Sequence, residues 1–371
     1  MGSELQHAVP PWLWGVAVFV FGACWGSFLN VCIWRMPRDQ SVVSPGSHCG
    51  SCNTPIPWYH NIPLVSFFAL GGQCHKCGAK FSFRYWLVEF LNAALWLLVW
   101  REFQYDRGWL VVIAYCILIS MLLVGTFIDF EFYIIPDRIT LGSVVIGFLF
   151  SIGVPALHQV STHWQSTVQS FLGIIAGGLS LLMIVELGKL AFGRLKMSLP
   201  PGTQITIADN KLTIPDDEIH WEEMFFRSSD RIRFHAATLK FKDKTFDNVD
   251  VSISETEIAI GKEKFLLSET GKIEATTDLL IIPREAMGLG DVKLMAGIGA
   301  FVGWKPIFFI LMTSALLGSI VGVGLVILRM RELQGKIPYG PYIALATVIW
   351  LFAGPDILNW YWGLTEPRVA Y

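Results

Sequence analysis

Charge is scarce in this chain. Only 16% of its 371 residues are Asp, Glu, Lys or Arg, against 53% hydrophobic residues, a balance that excludes an ordinary soluble domain as the whole account. The 28 basic and 30 acidic side chains leave a net charge of -2, so no overall basic field points to nucleic acid and none is expected as a partner. The opening MGSELQHAVP holds no Lys or Arg, which argues against the basic n-region of a cleavable signal peptide. The long apolar run behind it is expected to stay as an anchor. No glycine-rich dinucleotide fingerprint follows a strand, and no internal repeat of the kind common in transporters is visible.

What the chain has in abundance is long apolar runs. A membrane helix needs about 20 mostly apolar residues, and suitable windows begin near Trp12, Tyr85, Trp109, Thr140, Phe171, Val292, Ile307 and Pro341. The sixth is short and glycine-rich, and Gly354 and Pro355 interrupt the eighth. Positive charge collects in alternate loops: Arg35, Arg38, Lys76, Lys80 and Arg84 after the first span; Lys189, Arg194 and Lys196 after the fifth; Arg329, Arg331 and Lys336 after the seventh. Those loops are therefore expected in the cytoplasm and both termini outside. Between Met197 and Pro283 the pattern changes to short alternating segments broken by turn residues, the signature of antiparallel strands.

The expected fold is an α-helical polytopic membrane protein of about eight transmembrane helices, with a small cytoplasmic zinc-binding domain and an inserted soluble β-rich domain. Its parts are a first transmembrane helix at 1–33, a four-cysteine zinc-binding domain at 34–84, helices two to five at 85–196, the β-rich insert at 197–283 and helices six to eight at 284–371. The insert shows no catalytic constellation and reads as a packing or regulatory module.

Few polar residues interrupt the apolar text, and these carry the chemistry. Asp129 ends the third span in IDFEFYIIPD, and Asp291 opens the sixth in GLGDVKL. With alternating topology the two carboxyls reach the same membrane depth from different helices. Unpaired acids there are costly, so they mark function by default. Two close carboxyls can hold one proton between them, one acting as general base on water and the other as acid on the carbonyl oxygen. Gly288 and Gly290 allow close backbone approach or unusual dihedrals beside Asp291. A plainer account has Asp291 neutralised by Lys293 or capping its helix. Asp137 and Glu131 are alternative partners, Asp137 also being placed to cap the fourth span.

Seven cysteines are present. Those at 24, 32 and 116 lie in apolar runs, whereas CGSC at 49–52 and CHKC at 74–77 form two knuckles in polar text. Cys49, Cys52, Cys74 and Cys77 can supply four thiolates to a tetrahedral, structural zinc ion, and a cytoplasmic setting disfavours disulfides. His60 and His75 read as loop residues. Ser27 and Asn30 in span one, and Glu89 and Asn92 in span two, are i,i+3 pairs able to bond between helices. Glu89 is the costly one and needs a partner such as Arg35, Arg84 or a polar ligand. Ser314, Gly318 and Gly322 form a small-residue stripe at four-residue intervals suited to close packing in span seven, and Glu186 with Lys189 is expected to form an ion pair near the end of span five.

Together, GSFLNVCIWRMP, the two CxxC knuckles flanking PWYHNIPLVSF, FRYWLVEF, IDFEFYIIPDRIT, GLGDVKL and IPYGPY resemble the bacterial type 4 prepilin peptidases, GxGD-type aspartic leader peptidases. The resemblance covers nearly all of the membrane part in the same order, and residues 197–283 stand outside it. It implies cleavage of a short basic leader after a glycine in type IV prepilins and pseudopilins, at the cytoplasmic face of the bacterial inner membrane, with Asp129 and Asp291 as the catalytic pair. It also implies N-methylation of the new terminus from S-adenosylmethionine, as in members with the cysteine domain, whose ligands match Cys49, Cys52, Cys74 and Cys77. The methyl donor is expected near Asn30, Arg35 and Glu89. His60 departs from the acidic or amide residue often found there, which bears on methylation and not on cleavage. Expected partners are the pilin substrates, the lipid bilayer, and pilus or type II secretion assembly components. Two other readings predict different outcomes: a GxGD protease that cleaves another substrate or does not methylate, and a zinc-stabilised scaffold or transporter whose acids bind ions.

Overall fold

The computed structural model describes residues 10–365 except 193, 209, 216, 222–223, 226–229, 242–243, 284–287 and 329–337. The expected basic loop with Arg329, Arg331 and Lys336 lies outside the described residues, as does most of the opening MGSELQHAVP. The chain divides into two compact units, one formed by Met1–Leu182 with Gly288–Tyr371 and the other by Met183–Met287.

Each apolar window falls on a long helix: α1 (Pro11–Arg35), α2 (Arg84–Phe103), α3 (Trp109–Phe132), α4 (Asp137–Gly153), α5 (His163–Phe192), α6 (Leu289–Val302), α7 (Lys305–Ile327) and α8 (Gly340–Thr365). Among the described residues, five are long and apolar enough to cross a membrane, those at Pro11–Arg38, Trp109–Phe132, His163–Lys189, Lys305–Ile327 and Gly340–Gly363. The chain is thus a polytopic membrane protein. The remaining α2, α4 and α6 have 20, 17 and 14 residues. Helix α2 carries charges at both ends and Glu89 within. In α6, Leu294, Met295, Ile298, Ala300 and Phe301 are all buried, so neighbouring helices provide its apolar surroundings.

Small residues let these helices approach closely. Gly22 and Gly26 of α1 face Ala93 and Glu89 of α2, and a Cβ at Gly26 would stand 2.7 Å from the Glu89 Cα. Beside this seam, Asn92 Nδ2 donates to the Gly22 carbonyl at 2.7 Å, Ser120 Oγ donates to Asn92 Oδ1 at 2.9 Å, and Trp96 Nε1 donates to Ser120 Oγ at 3.1 Å. Asn92 therefore joins α1, α2 and α3. On the other side of the bundle, Gly297 of α6 meets Ser143 of α4, while Gly299 meets Gly173 of α5. Because the obstacle at Gly26 is backbone, Gly26→Ala is expected to cost ~1–3 kcal/mol and to lower the unfolding temperature of the purified protein in detergent. An unchanged temperature would mean that α1 and α2 can separate freely.

The second unit contains an eight-stranded sheet in the order β3-β2-β1-β8-β4-β5-β6-β7. The strands are β1 (Arg194–Ala208), β2 (Lys211–Ile214), β3 (Asp217–His220), β4 (Ile232–Phe241), β5 (Lys244–Ile253), β6 (Glu257–Ile260), β7 (Glu263–Leu266) and β8 (Ile273–Pro283), and every neighbouring pair is antiparallel. Pairing of β1 with β8 begins at Arg194 and Pro283, so strand structure reaches back before Met197. Alternate residues such as Ile205 and Ile207, or Val251 and Ile253, enter one apolar core. In β4 the buried positions run Ile232, Phe234, Ala236 and then Leu239, while β8 runs Ile273, Ala275, Thr277 and then Leu280. The register is kept on both sides of the shift, Phe234 opposite Leu280 and Thr238 opposite Thr276. Both strands therefore change their buried face at the same level.

Candidate active site

Asp129 and Asp291 lie on two helices that pack together, α3 and α6. Asp129 is in the last turn of α3, where its carbonyl accepts the N–H of the left-handed Tyr133 that ends the helix. Asp291 is in the first turn of α6, behind Gly288. The end of one helix thus meets the start of the other. The side chains are only 5% and 8% exposed, and they are close enough for the Asp129 charge to act on Asp291.

The neighbouring charges are engaged elsewhere. Lys293 Nζ bonds Asp137 Oδ1 at 2.6 Å, and Arg84 pairs with Glu131. Neither alternative acid is left without a cation, and Lys293 is committed to Asp137. Asp291 makes no capping hydrogen bond, and its buried Oδ1 has no hydrogen-bond partner among the described residues. Desolvating such a group without compensation is expensive, which is the reverse of the capping account.

The backbone is fitted around this pair. Gly340 at the start of α8 donates its N–H to Asp129 Oδ2 at 3.0 Å. A Cβ there would stand 2.8 Å from the same oxygen and 2.9 Å from Ile135 Cδ1. Gly290 packs on the other side of Ile135, where a Cβ would lie 3.3 Å from the Ile135 Cβ. Gly288, in contrast, has extended backbone at φ -71°, and a Cβ there would meet only the Gly290 nitrogen at 3.9 Å, an ordinary contact. Close approach therefore accounts for Gly290, whereas no unusual dihedral accounts for Gly288. Next to Gly340, the Tyr339 hydroxyl and Ser314 Oγ are 2.8 Å apart. Ser314 thus holds α8 as well as belonging to the small-residue stripe of α7. IPYGPY was legible as a motif, but neither its amide nor its phenol could be given a role from sequence. Gly340→Ala would press its Cβ against Asp129 Oδ2 and Ile135 Cδ1, and is expected to cost ~1–3 kcal/mol, read as a lower unfolding temperature of the purified protein in detergent.

The four knuckle cysteines come together, their sulfurs all lying within 4.8 Å of one another. The two knuckles repeat one geometry. Cys49 and Cys74 donate their N–H to the carbonyls of Thr54 and Ala79, while the left-handed Asn53 and Gly78 donate back to Cys49 and Cys74. Sulfur separations of 3.8 Å for Cys49 with Cys77 and 4.0 Å for Cys52 with Cys74 match the ~3.8 Å edge of a tetrahedron with 2.3 Å metal–sulfur bonds. The donor set fits a four-thiolate metal site. Hydrogen bonds from the Thr54 hydroxyl and amide pull the Cys52 thiol down to about 6, and the amides of Cys77 and Lys76 lower Cys74. Cys77 is pushed up to about 11 by burial and the adjoining sulfurs, against the Ala79 amide.

The residues expected near a methyl donor are engaged with main chain. Asn30 Nδ2 donates to the Tyr85 carbonyl at 2.9 Å, Arg35 donates to the Ser41 and Gly46 carbonyls, and Glu89 accepts the Leu64 N–H at 2.7 Å. Glu89 also bonds Ser27. Its partner is thus a backbone amide of the cysteine segment, in place of Arg35 or Arg84.

Five long apolar helices, with a buried pair of acids at the meeting ends of α3 and α6 and a separate four-cysteine cluster, define a polytopic membrane protein with a candidate metal site. Residues 20–103 match the bacterial peptidase A24 N-terminal domain, and residues 116–203 and 258–323 match the type IV leader peptidase family. The prepilin leader peptidase/N-methyltransferase of Aeromonas hydrophila is 28% identical over 383 residues, covering 96% of this chain and 97% of that protein. The protein of the same name from Klebsiella pneumoniae is 32% identical over 195 residues, covering 50% and 78%. That of Myxococcus xanthus is 37% identical over 185 residues, covering 49% and 51%. No solved structure matches the chain. The chain belongs to the type IV leader peptidase family.

Proposed function

We propose that this enzyme is a membrane aspartic endopeptidase that removes the leader peptide of type IV prepilins and pseudopilins at the cytoplasmic face of the bacterial inner membrane, and N-methylates the terminus it exposes. The observation carrying the cleavage step is the buried Asp129 and Asp291 pair, left without a cation among the described residues while Lys293 and Arg84 serve Asp137 and Glu131. One carboxylate takes a proton from water as it attacks the scissile carbonyl, and the other carboxylic acid donates to the carbonyl oxygen. The Gly340 amide and the wall of Ile135 hold Asp129 in place. All eight long helices serve as spans, with the loop from α1 to α2 and the β-rich unit in the cytoplasm. A prepilin whose apolar helix lies in the bilayer beside them brings its leader junction to the level of the two acids.

Zinc held by Cys49, Cys52, Cys74 and Cys77 is structural, since four protein ligands leave no position for water. Methylation is supported by the names of the relatives. S-adenosylmethionine supplies the methyl group, and this chain's part is to bring the new amine beside it, where proximity supplies much of the rate. Within the expected set of Asn30, Arg35 and Glu89, Asn30 Oδ1 is the buried acceptor without a partner among the described residues. The test is to incubate purified protein in detergent with a prepilin and S-adenosylmethionine and weigh the product. A shortened chain carrying one methyl group supports both activities. A shortened chain without it, under conditions where a known bifunctional relative methylates, leaves the peptidase alone; an uncut substrate sinks the proposal.

A further inference from the structure

We infer that residues 61–69 of the cysteine segment are inserted into the lipid interface beside α2, pinned there by Glu89. This needs α1 to α3 to cross the bilayer and is independent of the leader-peptidase chemistry. Four observations carry it.

The first is depth. The N–H of Leu64 bonds the Glu89 carboxylate at 2.7 Å, and Glu89 lies five residues inside α2, about 7 Å past Arg84 at 1.5 Å per residue. Arg84, paired with Glu131 at the end of α3, marks the rim where the helices leave the apolar layer. The segment accordingly descends beside the helix from that rim. The second is exposure: Val65 and Phe68, on the one-turn helix Val65–Ala69, are 59% and 64% exposed. At this depth such side chains face the lipid boundary, where an apolar surface is favourable.

The third is continuity with the bundle surface. Phe68 contacts Trp86 with ring centroids 5.6 Å apart, and Trp86 stacks on Phe90 at 5.1 Å. An aromatic column thus joins the segment to the partly exposed Phe90 one turn further into α2, as at the aromatic belts of membrane proteins. The fourth is satisfaction of the backbone. Ser66 Oγ accepts the Ile62 N–H, the Ser66 N–H reaches the Ile62 carbonyl, and Leu70 and Gly72 bond back to Ser66 and Phe67. Only a segment with its polar groups met internally tolerates such a place. Leu64 sits at φ +64° in a tight turn closed by the Val65 N–H on the Pro63 carbonyl at 2.7 Å, and its own N–H is the one that Glu89 takes. The costly acid of span two is therefore explained as an anchor for this loop.

The test places the photo-crosslinker benzoylphenylalanine at position 65 or 68 of the full-length protein, with position 240 on the exposed side of β4 as control. After illumination in vesicles of phosphatidylglycerol and phosphatidylcholine, the adducts are weighed. Lipid adducts at 65 and 68 and none at 240 are expected. In a Glu89→Ala background the yield at 65 should fall several-fold while the metal content is retained; an unchanged yield removes Glu89 as the pin. Absence of lipid adducts at both positions overturns the inference, as does replacement of lipid by added prepilin as the crosslinked partner, which would make this face a substrate surface.

Discussion

Asparagine at either position 129 or 291 is expected to lower leader cleavage by ~10²–10⁴-fold, the range associated with loss of a general acid or base, in a protein that still folds. The substitution keeps shape and burial and removes only the ability to gain or lose a proton. Folding is expected to survive because, among the described residues, the neighbouring cations are held elsewhere: Lys293 by Asp137 and Arg84 by Glu131. The amide oxygen of Asp129→Asn can still accept the Gly340 N–H. In Asp291→Asn the unpartnered buried oxygen is replaced by an uncharged amide, so unfolding in detergent should not come at lower temperature. Asp137→Asn is the matched control. It removes a carboxylate next in sequence to the same motif, but its ion pair is 59% exposed on the Asp side, where such pairs contribute ~0–1 kcal/mol, and cleavage should stay within a few-fold. Cleavage by either Asp129→Asn or Asp291→Asn at the wild-type rate would remove that residue from the chemistry, and would favour the reading in which the acids bind ions. Loss in Asp137→Asn equal to that in the other two would move the catalytic pair.

How much of this was legible in the sequence depends on the range of the interaction. The eight apolar windows all fall on helices because twenty-residue apolar runs report their burial locally, and the two CxxC knuckles fold alike because each closes its own hydrogen bonds over six residues. The expectation that Asp129 and Asp291 share one depth rested on counting spans, and the structure has them at the meeting ends of α3 and α6. What sequence left open were choices between partners. Whether Lys293 neutralised Asp291, and whether Glu89 faced Arg35, Arg84 or a polar ligand, depended on which helix faces meet. In the structure an amide 25 residues upstream, that of Leu64, takes Glu89, and an amide 211 residues downstream, that of Gly340, takes Asp129. No side-chain pattern announces a backbone donor. The length rule likewise fails for α6, whose 14 residues are enclosed by other helices and need not match a bilayer. In the β-rich unit the alternation was plain, but the joint change of buried face in β4 and β8 was not, because each strand alone shows only a phase slip.

Removal of metal is expected to have the most selective large effect. Between Asp39 and Phe83 the buried residues are Cys49, Gly72 and Cys74, so this stretch has no apolar core of its own. A segment of that kind depends on its cross-link, and metal binding is then part of its folding. Stripping the metal with a strong chelator, or substituting Cys74→Ser, should take the protein from one zinc per chain to none and open residues 39–83 to protease. Asp129 and Asp291 stand on α3 and α6, outside the stretch, and their contacts with Gly340 and Ile135 do not pass through it. Cleavage should therefore fall only in part, whereas methyl transfer, which the family resemblance associates with the cysteine segment, should be lost. Metal binding needs the thiolates, so metal should be released on acidification as protons compete for the four sulfurs; hydrogen bonds hold Cys52 and Cys74 toward the thiolate, while Cys77 is pushed the other way. Equal loss of both activities would mean that the knuckles support the whole bundle, and recovery of the four cysteines as disulfides from protein purified under reducing conditions would sink the metal assignment itself.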